Sequence, residues 1–227
     1  MSKPEIDTCY NADCFDIMAE MPKNSVNFTL TDIPYGEVAR ETGTLSSLSG
    51  LSTGAMKSAN DFSDFDLQKF LNEVYRVTSN SLCIFCGQEQ FSEIRKYFDS
   101  KPGTTRTIVY EKTNPVPSNG KYVYLSGVEL AVWFKKRGAH TFNGFCKNTV
   151  FRYPIYSGKK RTHPTQKHLD LFKELIKDNT NEGDIVFDPC AGGMTAAMAA
   201  KDCGRHYICC EIDQTFYDAG VAALNGN

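Results

Sequence analysis

Apolar residues follow two alternating patterns along the chain. Short continuous runs of apolar and β-branched residues predict strands at 26–31, 82–85, 107–110, 128–134, 185–187 and 206–210. Apolar residues spaced three or four positions apart predict helices at 66–78, 88–98, 168–177 and 194–202, and a last helix from residue 214. This alternation predicts an α/β fold in which a mostly parallel central sheet carries helices on both faces.

Two segments interrupt the pattern. Residues 36–64 are rich in Gly, Ser and Thr and contain few large apolar side chains, which predicts a long, mobile loop. Residues 135–161 combine aromatic rings with basic side chains, and such a mixture suits phosphate contact together with base stacking. The basic residues of this segment that we consider candidates are Lys135, Lys136, Arg137, Arg152, Lys159, Lys160 and Arg161.

Charge is segregated along a chain whose formal net charge is only −2. Residues 101–167 hold thirteen Lys or Arg and two acidic residues, Glu111 and Glu129, whereas the rest of the chain is acidic. Segregation of this kind predicts one basic face on an acidic body, although an ordinary solvated surface patch gives the same pattern. The length of 227 residues predicts a single domain over 1–227.

Nine cysteines raise the question of a metal or redox site. Cys83 and Cys86 form a Cys-x-x-Cys pair, but the pair lies within a predicted buried strand and no second pair at similar spacing accompanies it. We therefore predict reduced, buried thiols and no metal, with a redox or metal role as the alternative. The absence of a long apolar run and of a secretory pattern predicts a cytoplasmic protein.

The first candidate for chemistry is the tetrapeptide DIPY at the end of the strand 26–31. Ligands bind at the carboxyl edge of parallel sheets, where such strands end. The carboxylate of Asp32 and the carbonyl of Ile33 are two acceptors for the N–H bonds of an amino group. Pro34 favours an extended conformation for Ile33, and Tyr35 offers a flat face for a base. An ordinary strand-to-turn connection remains the alternative.

A second candidate is the segment FDPCAGGMT at 187–195, which leads from a strand into a helix. Glycines at this point allow a ligand to approach the backbone above a helix N-terminus. Glu211 ends the next predicted strand, where an acid can bind ribose hydroxyls. A third candidate is THPTQK at 162–167, in which Thr165 is predicted to cap the following helix and His163 to be a structural turn residue.

Together these motifs resemble the β group of amino-methyltransferases that modify adenine N6 or cytosine N4 in DNA. The family pattern runs Asp-Pro-Pro-Tyr, W-x-K-x-N-x-x-P, His-Pro-Thr-Gln-Lys-Pro and Asp-Pro-Phe-x-Gly-Ser-Gly-Thr-Thr. This chain has, in the same order, DIPY at 32–35, YEKTNP at 110–115, HPTQK at 163–167 and DPCAGGMT at 188–195. NADC at 11–14 and GR at 204–205 followed by Glu211 also resemble family elements. The likeness covers nearly the whole chain.

The resemblance implies a Rossmann-like fold, S-adenosylmethionine as cofactor, flipping of the target base and direct methyl transfer. It implies that Asp32 and the carbonyl of Ile33 accept from the target amine and that Tyr35 stacks on the base. The implied cofactor residues are Asp13, Cys14, Thr165, Lys167, Asp188, Cys190, Ala191, Gly192, Glu211 and Ile212. The implied DNA contacts lie in a small basic region at 111–161, which adds Lys112 and Asn114 to the basic residues named above. The loop 36–64 is expected to close over the flipped base.

Several alternatives remain open within this resemblance. Asp at the first motif position favours adenine N6, since cytosine-N4 members more often carry Ser there. Met194 stands where the family has its second Gly, so its side chain is predicted to reach the cofactor and weaken its binding. Together with Ile33 in place of Pro, this motivates a second hypothesis of a catalytically silent DNA-binding subunit. The same chemistry on RNA or on a protein glutamine is a third. Double-stranded DNA is the implied partner, and a homodimer or a restriction enzyme as further partner is left open.

Overall fold

The computed structural model describes residues 3–35, 65–117, 120–156, 163 and 165–226. The loop predicted at 36–64 lies outside these described residues. Within them, eight strands form one sheet in the order β1-β8-β7-β2-β3-β5-β4-β6. The strands are β1 (Thr8–Asn11), β2 (Val26–Asp32), β3 (Thr78–Cys86), β4 (Gly103–Lys112), β5 (Val128–Lys136), β6 (Val150–Tyr153), β7 (Ile185–Asp188) and β8 (His206–Glu211).

Most neighbouring strands run parallel, and β5 runs antiparallel to both β3 and β4. Because β5 reverses direction between two parallel neighbours, its first residues lie beside the carboxyl ends of β3 and β4. Its last residues, Lys135 and Lys136, pair with the opposite ends of those strands at Ser81 and Gly103. The direction of β5 therefore decides which basic residues lie near the carboxyl edge of the sheet.

Helices cover both faces of the sheet in the described part of the chain. They are α1 (Cys14–Glu20), α2 (Leu67–Val77), α3 (Gln88–Asp99), α4 (Leu169–Asn179), α5 (Thr195–Asp202) and α6 (Gln214–Leu224). Alternation along β3 separates the two cores: Leu82 and Ile84 pack with α1, α2 and α3, whereas Cys83 and Phe85 pack with α4 and α5. None of these helices is both long and apolar enough to span a membrane.

The predicted α/β fold with helices on both faces is confirmed, and the elements that the sequence missed are short. β1 and β6 have four residues each, and α1 has seven. Such elements are too brief for a periodic pattern to emerge, and α1 depends on its cap: the side chain of Asp13 accepts a hydrogen bond from the Phe15 amide at 2.8 Å. β6 lies within the basic, aromatic segment that had suggested a break in the pattern.

The carboxyl ends of β2 and β7 lie side by side near the middle of the sheet. From β2 the chain continues through α2 to β3 on one side, and from β7 it continues through α5 to β8 on the other. The two crossovers leave in opposite directions, so a crevice opens between these strand ends, where ligands bind in open α/β sheets. Asp32 ends β2 and Asp188 ends β7, which places both acids at this crevice.

Met194 occupies a left-handed backbone conformation at the start of α5, with φ of 58°. Its side chain is fully buried and packs with Ala191, Ala197 and Leu224. The prediction that this side chain reaches into the cofactor site is therefore wrong. The left-handed turn directs it into the core toward α6, where Gly220 leaves room for it: a Cβ added at Gly220 would lie 2.5 Å from Met194 Cγ.

Gly220→Ala is expected to destabilise the protein by about 1–3 kcal/mol, because the added methyl group overpacks the contact with Met194. In most helix interiors, replacing glycine by alanine instead stabilises the protein by roughly 0.5–1 kcal/mol. Urea unfolding of the single variant, of Met194→Ala and of the double variant measures the coupling. An equal cost of Gly220→Ala in both backgrounds would show that the methionine contact is not its cause.

Candidate active site

The carboxylate of Asp32 is held by two side chains at the end of β2. Its Oδ1 accepts a hydrogen bond from the Tyr35 hydroxyl at 2.7 Å, and its Oδ2 lies 2.5 Å from Lys167 Nζ. Lys167 Nζ also lies 3.2 Å from the Tyr35 hydroxyl oxygen. The sequence had assigned Tyr35 a stacking role, and the structure adds a hydrogen bond that orients the acid.

Lys167 also contacts a second carboxylate, which the sequence had not singled out for the site. Glu129, the second residue of β5, has its Oε2 2.9 Å from Lys167 Nζ and its Oε1 2.7 Å from Lys112 Nζ. The side chain of Lys167 is only 4% exposed. Four alternating charges, Asp32, Lys167, Glu129 and Lys112, thus form one chain at the carboxyl edge of the sheet.

Burial and ion pairing shift the pKa values of these groups in opposite directions. Burial raises the pKa of Asp32 above its usual value, although the nearby Lys167 opposes that shift. Burial also acts to raise the pKa of Glu129, but Lys167 and Lys112 outweigh it and leave that pKa lowered. For Lys167 burial acts to lower the pKa, and the two carboxylates outweigh it, so the net shift is upward. The lysine therefore remains a buried cation between two acids.

The backbone after Asp32 is fixed by α3 and its cap. The amide of the fully buried Ile33 donates to the Phe85 carbonyl at 3.1 Å, and the Pro34 carbonyl accepts from Gln90 Nε2 at 2.8 Å. Gln90 Oε1 in turn accepts from the Gly87 amide at 3.0 Å. The described residues place no hydrogen-bond donor on the Ile33 carbonyl, which is therefore the backbone oxygen next to Asp32 that remains available to a ligand.

The glycine-containing loop after β7 is tied to the end of β8. The Gly192 amide donates to Glu211 Oε2 at 2.7 Å, and Gly192 has φ of +49°, a conformation that favours glycine. The Ala191 amide donates to the Cys210 carbonyl at 2.8 Å, and the Cys190 amide donates to Asp188 Oδ1 at 3.1 Å. This loop brings together the predicted cofactor residues of both strand ends.

Residues from β1, α1 and β8 lie beside this loop. Asn11 Nδ2 donates to the Glu211 carbonyl at 2.9 Å and lies 3.2 Å from the Ile212 carbonyl oxygen, which joins β1 to the end of β8. Ile212 is 58% exposed, which is unusual for such a side chain and leaves an apolar surface open beside Glu211. A hydrogen bond that the Cys190 thiol donates to the Cys14 sulfur, together with burial, raises the pKa of Cys190 well above its usual value, so α1 touches the loop.

The segment before α4 places His163 and Thr165 near the glycine loop, and Thr165 does not cap the helix. The side chain of His168 accepts from the Asp170 amide, so His168 is the N-cap and the prediction for Thr165 is wrong. Thr165 Oγ1 instead lies 3.0 Å from His163 Nδ1. The His163 ring stacks edge-on to Phe216 at 4.3 Å and lies over Gly192, where an added Cβ would be 3.3 Å from the ring.

The predicted DNA-contacting residues are split between the two edges of the sheet. Lys112, Asn114 and Arg152 lie at the carboxyl edge, at or beyond the ends of β4 and β6. There Lys112 is ion-paired with Glu129, while Asn114 Oδ1 accepts from the Ile155 amide at 2.6 Å. Both are therefore engaged within the protein. Arg152 is 65% exposed and contacts Glu111 at 2.9 Å, a surface pair.

Lys135, Lys136 and Arg137 lie at the opposite edge, because β5 runs antiparallel to its neighbours. Lys136 Nζ donates to the carbonyls of Tyr75 and Thr78, and burial lowers its pKa to about 8. The expectation of one basic surface that includes these three residues is thus wrong. Lys159, Lys160 and Arg161 lie outside the described residues.

Two residues of the site were missed by the sequence reading, Glu129 and Gln90. Both sit at the starts of elements that were predicted, β5 and α3. The one available signal for Glu129 was that it is one of two acids in the basic stretch 101–167. That signal becomes meaningful when the direction of β5 is known. Cys83 and Cys86, predicted to be buried thiols, are indeed buried in β3.

Asp188 gives the site a testable pH dependence. It is 3% exposed, and burial raises its pKa from 3.8 to about 7. The folded chain therefore holds a proton that the unfolded chain releases, so the free energy of unfolding falls as pH rises from about 4 to about 7. Asp188→Asn removes this pH dependence, which lowers the free energy of unfolding by at most about 4 kcal/mol. The variant should gain stability relative to the parent at pH 8 but not at pH 4.

Urea unfolding at the two pH values measures this difference. Asp218→Asn, at an exposed position of α6, is the matched control and should leave the pH dependence of the parent unchanged. If Asp188→Asn loses as much stability as the parent between pH 4 and pH 8, the raised pKa of Asp188 is contradicted.

The chain is similar to known DNA methyltransferases. Residues 26–222 match the N6_N4_Mtase family, described as DNA methylase. The type II methyltransferase M.HinfI of Haemophilus influenzae is 25% identical over 248 residues, covering 96% of this chain and 68% of that protein. The structure is similar to that of the M1.HpyAVI-SAM complex, with a TM-score of 0.75 and 25% identity over 96% of this chain and 98% of the other.

The fold is also shared with the PvuII DNA methyltransferase, which is cytosine-N4-specific, with a TM-score of 0.71 and 15% identity. This likeness covers all of this chain and 96% of that one. Since the family match extends over most of the sequence, the chain belongs to the N6/N4 family of DNA methylases.

Proposed function

We propose that this protein transfers a methyl group from S-adenosylmethionine to N6 of adenine in double-stranded DNA. The observation that carries the proposal is the carboxylate of Asp32, held by Tyr35 and Lys167 at the crevice between β2 and β7. The glycine loop and Glu211 lie at the same edge of the sheet. An acceptor for an amino group thus stands beside a loop suited to a nucleoside cofactor.

The amino group of a base is a weak nucleophile because its lone pair is delocalised into the ring. Methylation requires that lone pair to be localised on nitrogen, and hydrogen bonds from both N–H groups favour this. Each Asp32 oxygen receives one hydrogen bond or ion pair from the protein, so it retains capacity to accept another. The Ile33 carbonyl is the second acceptor in this proposal, and Ile33 in place of Pro preserves it.

The described residues fit S-adenosylmethionine. Glu211 accepts one backbone N–H at each oxygen, from Gly192 and Asp213, and retains lone pairs for ribose hydroxyls. The exposed face of Ile212 and the nearby Asp13, Cys14, Cys190 and Ala191 are assigned to the adenosine side. When bound, the cofactor supplies an electrophilic methyl group on sulfur. With Met194 buried in the core, the main reason for favouring a silent DNA-binding subunit is removed.

The DNA-binding surface in this proposal is the carboxyl edge of the sheet around β4 and β6. The β4–β5 connection presents Lys121, Tyr122 and Tyr124, and the two tyrosines are 79% and 103% exposed. Because β4 ends at the same edge as β2, this connection lies on the side of the sheet where Asp32 is found. Exposed rings beside cations suit stacking on bases and contact with phosphates. Of the DNA-contacting region expected at 111–161, this proposal retains only the residues that lie at the carboxyl edge of the sheet.

The methylated atom tests the proposed function directly. Double-stranded DNA of mixed sequence is incubated with S-adenosylmethionine labelled in the methyl group, digested to nucleosides and separated by chromatography. We expect label in N6-methyldeoxyadenosine. Asp32→Asn replaces one acceptor oxygen by a donor, and should lower kcat by about 10²–10³-fold while cofactor affinity stays within about threefold. Label in N4-methyldeoxycytidine would contradict the adenine assignment, and full activity of Asp32→Asn would contradict the role of Asp32.

The two edges of the sheet provide a matched test of the DNA surface. Arg152→Ala should weaken DNA binding and reduce the dependence of log K on log salt by about 0.9, the value for one phosphate contact. Arg137→Ala removes an exposed arginine from the opposite edge and should change neither quantity. Fluorescence anisotropy with labelled duplex DNA over a range of salt concentrations measures both. Equal effects of the two substitutions would contradict the placement of DNA at the carboxyl edge.

A further inference from the structure

The chain of charges behind Asp32 contains more groups than acceptance of an amine requires. Lys167 Nζ lies 2.5 Å from Asp32 Oδ2 and 2.9 Å from Glu129 Oε2, and Glu129 continues to Lys112 at 2.7 Å. These groups come from the end of β2, the segment before α4, the start of β5 and the end of β4. Four separate segments of the chain thus converge on one ion-pair network.

Burial makes this network costly unless every member is paired. The ammonium group of Lys167 is almost entirely removed from water, and an isolated ion in such a place would lose its proton or move to solvent. It donates hydrogen bonds to Asp32 and to the Tyr35 hydroxyl, and Glu129 Oε2 lies at ion-pair distance, 2.9 Å from its Nζ. Lys167 is therefore anchored in one place, and Asp32 is oriented by an anchored cation rather than by a flexible surface lysine.

We propose that Lys167 is a positioning residue that orients the Asp32 carboxylate and favours its ionised form, and that Glu129 is the second anchor that fixes the position of Lys167. The inference rests on the proposed role of Asp32 as the acceptor for the target amine. A protonated Asp32 would carry an O–H donor on one oxygen and a weaker, uncharged acceptor on the other, so it would bind the N–H groups of the base less well than the carboxylate does. Lys167 thereby sets the fraction of protein molecules in which Asp32 is ionised and can accept hydrogen bonds from the target amine.

The groups that face Asp32 define the expected electrostatic effects. They are Tyr35 beyond β2, Cys86 on β3, Glu129 on β5, Lys167 before α4 and Asp188 on β7. Lys167 favours the ionised form of Asp32, whereas burial and Glu129 disfavour it. Removing the positive charge and removing the second negative charge should therefore move the titration of Asp32 in opposite directions. A general loosening of the site would instead move the Asp32 titration in the same direction in both variants.

Carbon-13 NMR of the aspartate carboxyl groups measures that titration without any assay of activity. The Asp32 signal is assigned by its absence in Asp32→Asn. Lys167→Met should raise the Asp32 midpoint by at least about one pH unit, because an opposite charge at this distance lowers a carboxyl pKa by about 1–3 units. Glu129→Gln is close in shape to the parent and should lower the midpoint. If Lys167→Met fails to fold, the Glu129→Gln titration still tests the proposal.

Steady-state kinetics over a range of pH connects the charge to the reaction. Lys167→Met should lower kcat at pH 7 by about tenfold or more and move the acidic limb of the kcat profile to higher pH, by the same amount as the NMR midpoint. Calorimetry should find the dissociation constant for S-adenosylmethionine within about threefold of the parent. Lys173→Met removes the surface ion pair with Asp202, at 2.6 Å, and is the control for loss of a paired lysine. Lys173→Met should leave the pH profile of kcat unchanged.

The results separate failure of this inference from failure of the proposed function. Unshifted Asp32 midpoints, or shifts of the same sign in both variants, would overturn the inference even if the parent methylates adenine. Loss of cofactor binding in Lys167→Met with an unmoved pH profile would overturn it in favour of a cofactor-binding role. A parent protein that transfers no methyl group to DNA would contradict the proposed function. The NMR midpoints would still decide whether Lys167 controls the ionisation of Asp32.

Discussion

The ion pair between Asp32 and Lys167 is the interaction on which the site depends. A carboxylate at the edge of a protein core is most readily kept charged by a partner that is itself fixed, and Lys167 is fixed by Glu129 and Tyr35. Each of these groups alone would be costly to bury. Joined in one network, they give the acid a defined charge and orientation before any ligand binds. Such preorganisation is what stabilisation of a developing charge requires.

Sheet topology brings this network next to the glycine loop. Parallel strands end at one edge, and the two crossovers diverge between β2 and β7, so the acids at their carboxyl ends face a common crevice. The antiparallel β5 begins at this edge, and its second residue, Glu129, joins the network. The reversal that brings Glu129 to the site carries Lys135 and Lys136 to the far edge. One topological feature thus completes the active site and divides the basic residues.

Much of the fold could be predicted from the sequence, because the long periodic elements and the motif order are local properties. The candidate site was predicted in part: DIPY and the glycine loop lie at strand ends, as the pattern indicated. Glu129 and the true place of Lys167 could not be predicted, since both depend on which strands pair and in which direction. The capping role of His168 and the inward turn of Met194 were missed because each depends on local backbone conformation, which residue type alone leaves open.

A crystal structure of the protein with duplex DNA and a non-reactive analogue of S-adenosylmethionine tests the central claim most directly. The account predicts that one adenine is turned out of the helix, with its amino nitrogen about 3 Å from an oxygen of Asp32 and about 3 Å from the carbonyl oxygen of Ile33. Lys167 should remain between Asp32 and Glu129. An adenine amino group bound elsewhere, with Asp32 turned away from it, would contradict the account.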